Sequence, residues 1–225
     1  MTTLTTAPLS PLLDRLFAEA DEASPATVPG AADYWAGLSA EERARIMRSK
    51  TDYLEFYGRL KDIPLPVSRE TGRLLYMLAR GSQARSIVEF GTSFGISTLH
   101  LAAALRDNGG GKVITTEFEP SKVARARNNL TAGGLVDLVE IRVGDALQTL
   151  SVDLPESIDL LLLDGAKGLY PDILGLVESR LRLGAFIVAD NANYCPDYVE
   201  RVRSPEGRYM STPFTEDVEL SVKIR

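Results

Sequence analysis

Apolar positions recur at helical spacing through the first eighty residues and in short, strand-like runs beyond them. Leu9, Leu12, Leu13, Leu16 and Phe17 fall on one helix face, and the acidic AEADEA segment follows. Two prolines and a glycine in SPATVPG interrupt the pattern. Ser39 and Glu42 then form a capping-box pair that predicts a helix through about Tyr57, closed by IPLPV. Ser68 predicts the cap of a further helix that carries Leu74, Leu75, Met77 and Leu78 and stops at Gly81. From Ser86 the rhythm changes. The strand-like runs SIVEF, KVITTEF, LVEIRV, SIDLLLLD and GAFIVADN alternate with helical stretches around STLHLAAAL, KVARARNNL, ALQTL, YPDILGLVESRL and Pro196 to Val202. Runs such as LLLL and FIV are apolar on both faces, as strands buried in a parallel sheet must be. Two closing strands are predicted near Arg208 to Phe214 and Val218 to Ile224. The expectation is an α/β fold: a doubly wound, mostly parallel seven-stranded sheet over residues 81–225, with residues 1–80 as a helical cap on the same domain.

Composition narrows the partners. The 225 residues are 44% hydrophobic, enough for one sizeable core. With 31 acidic against 25 basic residues and a formal charge of -6, nucleic acid is not an expected partner. Cys195 is the single cysteine and has no partner for an internal disulfide, which suits a reducing, cytoplasmic setting. No stretch reaches the roughly 20 apolar residues of a membrane span, and the first residues lack a secretory pattern, so no membrane association is expected.

Residues 89 to 95, Glu89-Phe90-Gly91-Thr92-Ser93-Phe94-Gly95, lie between the first strand and its helix. Gly91 permits a sharp turn, Gly95 permits close approach, and the helix N-terminus behind them offers free N–H groups. The same residues spell a formal G-x-S-x-G elbow, but the only histidine, His100, stands on the adjoining helix and reads as an ordinary helix residue, so a hydrolase triad is not supported. A dinucleotide loop would need a third glycine in place of Thr92 or Ser93, which weakens an NAD(P)-dependent oxidoreductase without removing it. Glu117 ends the second strand, where a carboxylate can accept hydrogen bonds from both ribose hydroxyls; Glu119 is its neighbour and competitor. Asp145 follows the third strand and suits the N-cap of the next helix.

Asp164 ends the fourth strand, and Asp190 and Asn191 end the fifth. The carboxyl ends of an open α/β sheet face its ligand crevice, so these oxygens can converge. All three are hard ligands with no histidine or cysteine nearby, which favours Mg²⁺ or a similar cation over zinc. Each could instead cap the turn that follows it. Lys167 lies three residues beyond Asp164, and beside a dication its pKa should fall toward that of a base; otherwise it is a solvated surface lysine.

Taken together, VEFGTSFGIST, TTEFEP, LDGAKGLYPD and VADNANYCP resemble the class I, S-adenosylmethionine-dependent O-methyltransferases of the metal-dependent catechol and caffeoyl-CoA group, over roughly residues 60 to 200. The resemblance implies Asp164, Asp190 and Asn191 as metal ligands and Lys167 as the catalytic lysine. It implies Glu117 as the ribose acid, Gly91, Ser93 and Ser97 in the cofactor loop with Glu89 near the cofactor ammonium, Val67 before the first strand, and Asp145 as reader of the adenine amino group. Asp164 borders the cofactor as well. Gly165 and Ala166 replace a bulkier pair in the animal catechol enzyme, one member of which packs on adenine, so that wall must come from elsewhere, with Phe118 as candidate. A late acid that holds the second substrate hydroxyl aligns poorly; Glu216 and Asp217 are candidates. Tyr34, Trp35, Tyr53, Tyr57 and Tyr194 are candidate apolar walls, and a homodimer with N-terminal helices over the site is implied. The expected reaction is Mg²⁺-assisted methyl transfer to a hydroxyl of a small catechol-like phenol, with a metal-independent methyltransferase as the alternative.

Overall fold

In the computed structural model, every residue is described except 24–26 and 29–30, together with the side chain of Trp35. The predicted break at SPATVPG thus lies largely outside the described residues. Five helices come first: α1 (Leu9–Glu22), α2 (Ala32–Gly37), α3 (Ala40–Arg48), α4 (Tyr53–Arg59) and α5 (Arg69–Gly81). The capping box forms, with Ser39 accepting from the Glu42 N–H and Glu42 from the Ser39 N–H. The single helix predicted through Tyr57 is in fact two. The Ser49 hydroxyl accepts the N–H groups of Thr51 and Asp52, a local turn that competes with helical hydrogen bonding. Ser68 caps α5 through the Thr71 N–H, as its position predicts.

The remainder builds the sheet: β1 (Ser86–Phe90), α6 (Ile96–Asp107), β2 (Lys112–Glu117), α7 (Pro120–Ala132), β3 (Val139–Val143), α8 (Ala146–Thr149), β4 (Ile158–Leu163), α9 (Tyr170–Val177), β5 (Leu181–Ala189), α10 (Pro196–Arg203), β6 (Tyr209–Pro213) and β7 (Glu219–Lys223). The strand order is β3-β2-β1-β4-β5-β7-β6, parallel from β1 to β5, with β7 antiparallel to both neighbours. Strand β5 begins three residues before the predicted GAFIVADN run. Its register against β4 slips between Ile158 and Leu160, and Gly184 takes φ +78° within the irregularity.

Side-chain alternation divides the core into two layers. Ile87, Leu160 and Leu162 face one side, where Leu9, Leu13, Phe17, Leu75 and Leu99 cover them. Val88, Phe90, Leu161 and Leu163 face the other, under Ile173, Leu174, Tyr198 and Val202. Helices α1 and α5 therefore share the sheet's own core. The α2–α4 region packs a separate cluster of Ala31, Ile46, Phe56, Leu60 and Ile63. The order of winding reverses between the parallel strands β1 and β4, so the crevice at their carboxyl ends is the natural ligand site. No helix among the described residues is long and apolar enough to cross a membrane.

Candidate active site

Backbone pairing runs one residue past the strands at this crevice. The Asp164 N–H donates to the Phe90 carbonyl at 2.8 Å, and the Asp190 N–H to the Leu163 carbonyl at 2.9 Å, which sets the two carboxylates on adjacent strand tips. Gly91 has φ +106°, and a Cβ there would lie 2.6 Å from the Asp164 carbonyl oxygen, so no other residue fits this turn without strain. Thr92 ties the loop to β2 through the Thr116 carbonyl, and Gly95 opens α6.

A cleft of about 660 Å³, its open mouth included, lies over this edge and takes in Gly91, Ser93, Glu117, Phe118, Asp145 and Asp164 of the predicted cofactor set. An adjoining recess takes in Ser97 beside Gly91, Ser93 and Asp164. Glu117 is buried and accepts from the backbone N–H groups of Ser93 (2.9 Å), Phe118 (2.9 Å) and Glu119 (3.0 Å). Burial raises its pKa against the pull of these donors. Glu119 instead caps α7, accepting from the N–H and hydroxyl of Ser121. Asp145 caps α8 through the Leu147 N–H at 2.9 Å while lining the cleft. Two members of the predicted set stand back from the cleft. Val67 is buried in the apolar core. Glu89, fully buried, shares the face of Ile87 beneath α6, where Ser97 (2.6 Å) and Thr98 (2.5 Å) donate hydroxyls to it. Burial pushes the Glu89 pKa up to about 7.

At the other end, the Asp164 and Asp190 carboxyls lie close enough to perturb each other. Burial and the Asp164 charge push Asp190 up to about 7, and burial raises Asp164 despite Lys167. The Lys167 ammonium lies 3.0 Å from Asp164 Oδ1, with the two side chains 4% and 11% exposed. Lys167 is thus no surface lysine. Burial works to lower its pKa, but Tyr170, Asp164 and further neighbouring groups outweigh that and hold it well above the ordinary value. The lowered pKa predicted from sequence would need a nearby positive charge that outweighs these groups. Asn191 sits in the left-handed region at φ +50° and donates its side-chain N–H to Asp217 Oδ2 at 3.2 Å, leaving its amide oxygen free of that contact. Asp217 therefore joins the site, whereas Glu216 is exposed. Among the described residues no three His, Cys, Asp or Glu side chains are grouped to hold a metal. A cation here would rest on two carboxylates, an amide oxygen and water, a donor set that suits Mg²⁺.

Of the predicted aromatic walls, Tyr53 and Tyr57 line the cleft. Tyr34 packs inside the cap against Phe56 and under Arg59, Tyr194 is half-buried beyond Asn191, and the Trp35 side chain lies outside the described residues. His100 is buried in the core with its Nδ1 2.8 Å from the Ile96 carbonyl, away from the site. Sequence reasoning missed Lys122, buried at the cleft with Nζ 3.3 Å from the Ser93 hydroxyl. Its signal was a lysine in the first turn of a helix, where the macrodipole disfavours a cation.

Known proteins share this fold and part of this sequence. A methyltransferase-domain family model matches residues 88–192. The catechol O-methyltransferase of Niastella koreensis is 36% identical over 130 residues, 56% of this chain and 58% of that protein. That of Mycobacterium tuberculosis is 37% identical over 127 residues, 56% of this chain and 57% of that protein. The chain thus aligns with a little over half the length of these relatives. The solved O-methyltransferase TomG of Streptomyces achromogenes, in complex with S-adenosylmethionine, is 27% identical with a TM-score of 0.62, over 86% of this chain and 95% of that one. An O-methyltransferase of Bacillus cereus shares the fold, with a TM-score of 0.66 at 24% identity over 82% of this chain and 96% of its own. By sequence and fold together, the chain is similar to O-methyltransferases, the catechol O-methyltransferases among them.

Proposed function

We propose that this protein transfers a methyl group from S-adenosylmethionine to one hydroxyl of a small vicinal dihydroxyphenol, with Mg²⁺ or a similar divalent cation. The observation that carries the reading is the buried Asp164–Asp190 pair on adjacent strand tips, with Lys167 at 3.0 Å, beside a cleft whose floor is the glycine turn and Glu117. Two carboxylates forced together out of water, with one ammonium against Asp164 and Asp217 close by, form an excess of negative charge that a dication would relieve.

Asp164, Asp190 and Asn191 would hold that cation. When bound, S-adenosylmethionine supplies the methyl group, and the cation supplies Lewis acidity toward two adjacent oxygens. The chain's own residues do the rest. Glu117 offers carboxylate oxygens, already oriented by three backbone donors, to ribose hydroxyls. Lys167 stands against Asp164, one of the residues that would hold the cation; as an ammonium it would donate to a phenolate oxygen, and as an amine it would take the phenolic proton. Tyr57, Leu65 and Phe118 wall the cleft with apolar surface, which limits water at the methyl donor.

The test is turnover of catechol followed by mass spectrometry, before and after exhaustive chelation and on Asp164→Ala. Methylated product that requires added Mg²⁺ and vanishes in Asp164→Ala is the expected result. One observation favours a second reading, a metal-independent methyltransferase: Lys167 already pairs with Asp164 while the Asn191 amide engages Asp217. Undiminished turnover after chelation would establish that reading instead.

A further inference from the structure

Tyr53 belongs to the cap, on α4, and yet its ring borders the same cleft as Glu117 and Asp145. It meets Phe118 edge to face, with centroids 6.3 Å apart and planes at 87°. Ala146 and Ala166 line the same cleft with small side chains. Position 165 cannot supply a larger one, because a Cβ on Gly165 would lie 2.5 Å from the Phe90 ring. The sheet edge therefore provides small side chains, acceptor groups and the Phe118 ring, and the cap sets Tyr53 against that ring. Asp145 uses one carboxylate oxygen to cap α8, which leaves the other for an N–H at the edge of a ligand. A flat group with apolar faces and an amino group on its rim, joined to a diol, matches these features.

The α2–α4 region keeps its own apolar cluster, and Tyr53 and Tyr57 are its residues that pack against the sheet's second layer. Beyond them, the cap backbone presses on the Lys167 loop: a Cβ on Gly168 would lie 2.6 Å from the Arg48 carbonyl oxygen and 2.8 Å from that of Ser49. Lys50 pairs with Asp172 at 2.7 Å on the exposed side of the same junction.

We propose that Tyr53 is a cofactor-binding residue, the cap's contribution to the purine site, so that binding of the S-adenosyl group and docking of the α2–α4 cap are one coupled event. The proposal rests on the reading of the cleft as an S-adenosylmethionine site. A purine entering between Tyr53 and the small Ala146 and Ala166 exchanges the Tyr53–Phe118 contact for a larger aromatic one. The cap is then held by the ligand as well as by the Gly168 junction.

The experiment uses the full chain and S-adenosylhomocysteine, read by titration calorimetry and by trypsin cleavage between Arg45 and Lys61. In the wild type, saturating ligand should protect these sites. Tyr53→Ala should bind about three- to tenfold more weakly, the worth of an aromatic contact, and should lose the protection even when saturated. Tyr53→Phe, which keeps the ring, should retain both. Gly168→Ala, outside the cleft, should loosen the cap and lose protection too, and it decides the matter if Tyr53→Ala melts much below the wild type. Wild-type affinity and protection in both Tyr53→Ala and Gly168→Ala would overturn the coupling. A wild type that fails to bind S-adenosylhomocysteine would overturn the cofactor reading itself, a distinguishable failure.

Discussion

Removing the ammonium of Lys167 should change the protein's stability in a way that depends on pH. Lys167→Met keeps most of the side chain's bulk but takes away a charge 3.0 Å from Asp164 Oδ1 in a place nearly closed to water. Breaking a buried pair costs about 3–5 kcal/mol when the remaining partner stays ionised. Here the partner can take up a proton instead. Burial and the Asp164 charge already push Asp190 up to about 7, and burial raises Asp164 as well. A carboxyl whose pKa is higher in the folded than in the unfolded chain stabilises the fold while protonated. That contribution is whole below the unfolded value of about 4 and is lost as pH rises through the folded value. In the wild type the loss attached to Asp190 is therefore complete soon after neutrality. In Lys167→Met both carboxyls rise further, so the loss continues into alkaline pH. The stability gap between the two proteins should be small near about pH 5. It should then widen by about 1.4 kcal/mol per pH unit for each proton that only the variant retains, up to the ceiling above. Urea unfolding in chelator across this range measures the gap, and titrations elsewhere in the molecule cancel in the difference. A gap that is constant with pH, or widest under acid, would refute the picture of a coupled, buried acid pair held by this lysine.

Three other outcomes follow from the geometry. Gly72→Ala places a Cβ 2.8 Å from the His100 ring, which Phe17 and the Ile96 carbonyl hold on its other sides, and should cost about 1–3 kcal/mol in urea unfolding. Burial pushes His100 down to about 4, so the fold loses stability as pH falls from the unfolded value toward the folded one; His100→Leu should flatten that part of the profile, and an unchanged slope would exclude His100 as its source. Lys122→Met should weaken S-adenosylhomocysteine binding roughly tenfold by calorimetry, because its buried charge joins the Glu119, Ser93 and Phe118 N–H groups in opposing burial at Glu117; unchanged affinity would make Lys122 a packing residue only.

What could be read in advance depended on how locally each feature is determined. The runs SIVEF and LLLL announced β1 and β4 because strands buried on both faces admit little else, and Ser68 announced α5 because its hydroxyl serves an N–H only three residues away. The helix predicted through Tyr57 failed for an equally local reason, the Ser49 hydroxyl, which hydrophobic spacing does not register. Asp164, Asp190 and Lys167 were legible because an open α/β sheet assigns its strand tips to one crevice whatever the side chains are. Glu89 shows the limit of that rule. It precedes the strand tip by one residue, so alternation turns it beneath α6. Tyr53 shows a different limit. Its place at the cleft depends on where the cap settles, and the close backbone approach at Gly168, over a hundred residues away in the chain, is part of that junction. The chemistry-bearing edge is written in the periodicity of the strands. Which face of the cap meets it is written in such small contacts, and substitutions at Gly168 should therefore alter ligand binding while leaving every predicted site residue in place.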